Sequence, residues 1–187
     1  ASFLGGAGND LIQLSATLDS TAVKTLFQGG GDNDSIQYYD FGGAGTAVTV
    51  NGNGGNDTLY IEASGYTRSL FAGGGGNDIV SAGVMDNTLK NTVIGGGGAD
   101  AASFEQGLVQ GGGGDDLITV SGAGFGSATT LGGNSGSDTI YISAALESSV
   151  RSQINGGSGN DIIYISAFNG NSQDMSVNGG GGNDSIT

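Results

Sequence analysis

The chain has 187 residues, 41 of them Gly, and sets 18 acidic against 4 basic side chains for a net charge of −14; Pro, Cys, His and Trp are absent. No disulfide scaffold is possible without Cys, zinc and other soft-ligand metals are poor candidates without His or Cys, and so much negative charge repels nucleic-acid phosphates. No apolar run approaches the roughly 20 residues that cross a bilayer, and no basic-then-apolar opening marks a signal peptide.

Glycine content with so little positive charge is the composition of a flexible segment. Yet 36% of the residues are hydrophobic, enough for a core if they are placed regularly. The placement is regular. Taken along the chain, "GGAGNDLI" at 5–12 is followed by "GGGDNDSI", "GNGGNDTL", "GGGGNDIV", "GGGGADAA", "GGGGDDLI", "GNSGSDTI", "GGSGNDII" and finally "GGGGNDSI" at 179–186. The Asp that closes each motif marks the register: Asp10, Asp34, Asp57, Asp78, Asp100, Asp116, Asp138, Asp161 and Asp184. The spacing stays near 22 residues, except for a short unit of 16 between Asp100 and Asp116. Such self-similarity is the sequence signature of a repeat architecture.

Three apolar columns keep the same register. Two residues after each Asp stand Ile12, Ile36, Leu59, Val80, Ala102, Ile118, Ile140, Ile163 and Ile186. Four residues after stand Leu14, Tyr38, Ile61, Ala82, Phe104, Val120, Ile142 and Ile165. Two residues before each first Gly stand Phe3, Phe27, Val50, Phe71, Val93, Val109, Leu131, Ile154 and Val177. Spacing by two predicts strands with one buried face. Each unit therefore reads as a strand after the Asp, a variable corner, a returning strand and a glycine corner. In-register units of this kind stack into a parallel solenoid. The expected fold is all-β, a parallel β-solenoid of about eight coils of ~22 residues spanning roughly 40 Å at the usual strand spacing, with residues 1–187 forming one segment. The chain starts inside a returning strand and stops inside an outgoing one, without a capping unit, so the sequence predicts an interior piece of a longer repeat protein or ends covered by neighbours.

A sharp corner explains the glycines but not the Asp. One carboxylate per coil on the same edge stacks like charges about 4.8 Å apart, which disfavours stacking unless something positive intervenes. Lys24, Arg68, Lys90 and Arg151 each lie five residues before a glycine motif, out of phase with the buried column and so outward-facing. A divalent cation is the economical counter-charge. Calcium suits best, since it takes 6–8 oxygens from carboxylates and backbone carbonyls and tight glycine turns expose carbonyls.

"GGAGNDLI" at 5–12 and "GGSGNDII" at 156–163 resemble the calcium-binding nonapeptide G-G-x-G-x-D-x-U-x of RTX (hemolysin-type) proteins, and the likeness covers essentially the whole chain. The resemblance implies a β-roll in which the Asp and glycine-turn carbonyls of one coil bind Ca²⁺ jointly with the next coil's turn. Carried over residue by residue, it implies the nine Asp named above as side-chain ligands, with the carbonyls of Gly5, Gly29, Gly52, Gly73, Gly95, Gly111, Gly133, Gly156 and Gly179. Nine corners in one file would make eight inter-coil sites. The usual roll carries two nonapeptides per 18-residue coil; one per coil of about 22 predicts calcium ions in a row along one edge only. Asp32 replaces the fourth-position Gly, while Asn53 and Asn134 replace the second, so those corners are expected to bind more weakly or with altered geometry, and Asp115 adds a charge beside its site. Lengthened one-sided repeats look like those of bacterial surface-layer or surface-filament proteins.

The aligned basic residues suit either a docking stripe or, as we prefer, a solvated column paired with acids such as Asp86 and Glu147 across the variable corner. Tyr141, Tyr164 and Ile162 fall on one outer face, where a lateral contact with copies of the chain or simple cross-strand stacking would both account for them. Nothing marks a catalytic site: there is no nucleophile–base arrangement and every well-placed carboxylate has a metal-ligand explanation. The expected function is a calcium-folded structural segment of a secreted bacterial cell-surface protein (surface layer, filament or adhesin stalk) that self-assembles. The alternative is the secretion and folding module of a type I-exported toxin or hydrolase.

Overall fold

The computed structural model describes residues 1–15, 24–40, 47–63, 68–83, 91–104, 107–121, 129–143, 152–166 and 175–187. Among them every regular element is a strand, and the strands come in pairs that flank each glycine corner. In chain order the pairs are β1 (Ser2–Ala7) and β2 (Leu11–Ser15), β3 (Thr25–Gly31) and β4 (Ser35–Asp40), β5 (Val48–Gly54) and β6 (Thr58–Ala63), β7 (Leu70–Gly75) and β8 (Ile79–Gly83), and β9 (Thr92–Gly97) and β10 (Ala101–Phe104). They continue as β11 (Leu108–Gly113) and β12 (Leu117–Val120), β13 (Thr130–Ser135) and β14 (Thr139–Ile142), β15 (Gln153–Ser158) and β16 (Ile162–Ile165), and β17 (Ser176–Gly181) and β18 (Ser185–Ile186). Among the described residues no helix is long and apolar enough to cross a membrane.

The odd strands form one nine-stranded parallel sheet and the even strands another. Each strand pairs with its counterpart one repeat away, as in Ile140↔Ile163 and Phe3↔Phe27. The molecule is therefore the expected parallel solenoid. It has nine stacked rungs where about eight coils were expected, because nine glycine corners each bring a strand on both sides. The short unit between Asp100 and Asp116 keeps its strands β10 and β11 in register with their neighbours.

The core lies between the sheets and consists of the three columns read from the sequence. Phe27, Ile36, Tyr38, Leu59, Val109, Ile118, Ile140 and Ile163 are fully buried. The columns fray only toward the ends: Phe3, Ile12, Leu14, Ile165 and Val177 are partly buried, and Ile186 is exposed. Within a column like packs on like, as Phe3 stacks on Phe27 at 4.9 Å and 10°. Rungs compensate for volume, so that the rung with Phe71 carries Ala82 and the rung with Phe104 carries Ala102. Lys24 and Arg68 are exposed, as their phase requires. Lys90 and Arg151, with Asp86 and Glu147, lie outside the described residues.

Candidate metal centre

Every glycine corner runs from the end of an odd strand to the start of the next even one, and its six positions have distinct jobs. The second and fourth positions need left-handed backbone. Gly74 and Gly76 have φ of 122° and 117°, and the corresponding residues of the other corners are also positive. Asn53 and Asn134 at the second position and Asp32 at the fourth adopt φ of 79°, 80° and 74°. Asn and Asp are the side-chain-bearing residues that tolerate this region best. The three replaced corners thus keep the same turn with a smaller positive φ.

The first Gly is required for a different reason, since its φ is ordinary. A Cβ on Gly5 would stand 2.5 Å from Asp10 Oδ2 and 2.5 Å from the Gly29 carbonyl oxygen. The same two oxygens, the carboxylate of its own coil and the first-Gly carbonyl of the next, crowd the hypothetical Cβ of Gly52, Gly73, Gly95, Gly133 and Gly156. At Gly29, Gly111 and Gly179 the nearest atoms all belong to the coil's own Asp, namely Asp34, Asp116 and Asp184. The sheet register also skips this position: Leu4 pairs with Gln28 and Gly6 with Gly30, while Gly5 and Gly29 are passed over.

The Asp faces inward, buried from Asp34 to Asp161 and partly buried at Asp10 and Asp184, and its two oxygens have different surroundings. Oδ1 accepts the backbone N–H of the preceding coil's Asp, from Asp10 N–H to Asp34 Oδ1 at 2.8 Å through to Asp161 N–H to Asp184 Oδ1 at 3.0 Å, without a gap along the file. Oδ2 of Asp10, Asp34, Asp57, Asp78, Asp100, Asp116, Asp138 and Asp161 is buried and has no hydrogen-bond partner. A buried carboxylate oxygen left without a donor is costly; eight in one file, facing carbonyl oxygens, describe a set of acceptors awaiting cations. Asp184 closes the last rung, and its Oδ2 is not among these buried atoms.

Burial sets the charge state of the file in the absence of metal. It raises Asp116 to about 7 and Asp78 to about 6; the N–H from the preceding Asp opposes the shift, and the neighbouring carboxylates add to it. Asp57, Asp100 and Asp138 are raised as well, again first by burial. The file therefore binds either protons or metal in preference to standing fully ionised.

The donors fit calcium. At Gly5, Gly52, Gly73, Gly95, Gly133 and Gly156 a carboxylate Oδ2 stands beside the next coil's first-Gly carbonyl oxygen, and among the described residues no three acidic side chains converge. Calcium accepts that mixture in flexible geometry, whereas magnesium holds to a strict octahedron and keeps its waters. When bound, the cation would supply the positive charge that lets the buried carboxylates stay ionised.

Two features were not foreseen from sequence. The fifth motif position forms a second ladder on the outside of the corner, running the other way: Asn33 N–H donates to Asn9 Oδ1, Asn56 N–H to Asn33 Oδ1, Asn77 N–H to Asn56 Oδ1 and Ala99 N–H to Asn77 Oδ1. It stops at Ala99, which has no side-chain acceptor for Asp115, and resumes with Ser137 N–H on Asp115 Oδ1, Asn160 N–H on Ser137 Oγ and Asn183 N–H on Asn160 Oδ1. The recurring Asn of "GND" was the available signal. At the other end of the odd strands, the inward column is neutral. There Val48 N–H donates to Ser69 Oγ and Ser69 N–H to Asn91 Oδ1, with Thr25, Thr129 and Ser152 also buried. Its residue types vary from rung to rung, which is why no pattern announced it.

A parallel solenoid whose corner carries a file of buried, unpartnered carboxylate oxygens is a cation-binding repeat protein. Comparison with protein families gives the kind: residues 41–60, 70–89 and 152–171 match the RTX calcium-binding nonapeptide repeat (4 copies). Over these three segments the chain carries RTX-type calcium-binding repeats. The matched segments contain Asp57, Asp78 and Asp161; the other corners share their hydrogen-bonded carboxylate file. Searches among curated proteins and among solved structures find no match.

Proposed function

We propose that this segment is a calcium-folded structural element of a secreted bacterial cell-surface protein, with a row of ions along the glycine edge and none at the opposite edge. The observation that carries the reading is the file of eight buried Oδ2 atoms without partners. The neutral Ser69–Asn91 column at the far end of the odd strands favours a one-sided row. In a calcium-poor cytoplasm the ionised file disfavours stacking, and the chain stays unfolded for export. At millimolar calcium outside, binding to the folded state alone stabilises it by mass action. The carboxylates are assigned to metal and no catalytic step is assigned to the chain. The match to RTX repeats also supports the second reading, a folding module of a type I-exported exoprotein, which uses the same calcium chemistry.

The nine Asp and nine first Gly are proposed as the ligands. Asp78→Ala removes an acceptor from the Asp57 N–H on one side and the Oδ2 of the next gap on the other, so it should reduce bound calcium by two ions. Asp184→Ala removes only the acceptor of Asp161 and should cost one. Calorimetric stoichiometry of the two variants checks this; equal losses, or none, would remove the inter-coil assignment.

A further inference from the structure

The corners hold the charge of this molecule, and the sheet faces are nearly free of it. On the outward positions of the described even strands, Glu62 is the one charged side chain, and it accepts the Tyr60 hydroxyl at 3.3 Å. The odd-strand face carries no charge either, but it is rich in amides such as Gln28, Asn51, Gln110 and Asn155. The two faces differ in apolar exposure. Among the described residues, nine large hydrophobic side chains are exposed: seven lie on the outer face of the even sheet, Leu4 on that of the odd sheet, and Ile186 at the last rung. Leu11, Ile79, Leu117 and Ile162 fall in the position after the Asp, 46–66% exposed, and Tyr60, Tyr141 and Tyr164 in the position two further on. Tyr141 and Tyr164 stack at 4.9 Å and 6°, which presents a flat apolar edge.

The relief of this face alternates. In the short coil Ala101 stands where the neighbouring rungs carry Ile79 and Leu117, and a groove of about 240 Å³ lies over it, lined also by Ser81, Ser103 and Thr119. Knob and hole therefore occur one rung apart on the same surface. We propose that the outer face of the even sheet is a self-association surface, on which a second copy of this chain lies face to face with Ile79 or Leu117 of one copy seated over Ala101 of the other. This rests on the structural, calcium-loaded reading given above.

Three considerations select a second copy as the occupant. A copy presents the same knob and groove one rung apart, so two copies related by a two-fold axis each seat a knob in the other's groove. The area suffices: nine strands about 4.8 Å apart and some 13–20 Å long give roughly 600 Å² per copy, or about 1,200 Å² for the pair, the lower bound of specific interfaces. Charge then gates the contact. At −14 two copies repel; eight divalent cations would bring each chain near neutrality, where association is favoured. The expected complex is thus weak, reversible and calcium-dependent.

Sedimentation velocity in saturating calcium over a wide concentration range tests the proposal, with circular dichroism on the same samples. The parent is expected to sediment as a monomer–dimer equilibrium. Leu117→Lys, which places charge on the knob, and Ala101→Tyr, which fills the groove, should both be monomeric with unchanged circular dichroism. Leu4→Lys, on the other sheet, should associate like the parent. A folded parent that stays monomeric at the highest concentration overturns the proposal, as does association undiminished in both face variants or lost equally in Leu4→Lys. A chain folded equally well in chelator would sink the calcium reading instead, while sedimentation would still decide the face.

Discussion

Gly95 and Gly97 sit two residues apart in one "GGGG" corner, both at ordinary φ, yet the structure gives them opposite roles. A Cβ on Gly95 would meet Asp100 Oδ2 and, at 2.5 Å, the Gly111 carbonyl oxygen, in a buried place with no slack. A Cβ on Gly97 would meet nothing within 4 Å. Gly95→Ala should therefore force the Asp100 carboxylate and the next coil apart, at about 1–3 kcal/mol for overpacking, and abolish one calcium site. Gly97→Ala should stabilise by about 0.4–1 kcal/mol, because alanine restricts the unfolded chain without straining the folded one. Urea unfolding in saturating calcium, followed by circular dichroism, gives both values, and calorimetry counts the ions. Equal destabilisation by the two substitutions would refute the assignment of the first Gly to close approach and return all four glycines to the role of generic turn formers.

Two further outcomes follow from the hydrogen bonds and the buried charge. Ala99→Asn should restore the missing acceptor for Asp115 in the outer ladder and add about 0.5–1.5 kcal/mol, seen as a higher melting temperature at fixed calcium. In chelator, stability should rise on acidification. Burial raises Asp116 to about 7 and Asp78 to about 6 in the folded chain, above the ordinary carboxylate value of 3.8, so between pH 7 and pH 4 the folded state holds more protons than the unfolded one and gains stability as pH falls. In calcium the trend should reverse over the same window, as protons compete for the carboxylates. Circular dichroism in chelator from pH 7 down to pH 4 follows the first trend as gain of β-structure, and urea midpoints at pH 7 and pH 5 in calcium measure the second.

The strand columns were legible because they repeat two periods at once, 2 within a strand and about 22 between rungs. Ile36, Leu59 and Ile118 could hardly be placed otherwise. The Asp file was legible as a charge problem, but its division of labour was not. That Oδ1 ties the preceding coil while Oδ2 stays free depends on backbone N–H directions, which no spacing encodes. The Asn of the fifth position was visible as a recurring letter, but its acceptor role needs the neighbouring coil. The Ser69–Asn91 column was hidden because threonine, valine, serine, asparagine and glycine follow one another there, with no side-chain acceptor that repeats from rung to rung. The groove over Ala101 arises from small residues between two large ones in adjacent rungs, a relation between residues 22 and 16 positions apart.

The central claim is that the buried carboxylate file needs calcium to stack. The most direct measurement is a calcium titration of the parent chain from excess chelator, followed by far-ultraviolet circular dichroism and calorimetry together. The account predicts little β-structure in chelator at pH 7, cooperative appearance of β-structure with calcium, and a stoichiometry near eight ions per chain. A chain fully folded in chelator, with a melting temperature that calcium leaves unchanged, would contradict it.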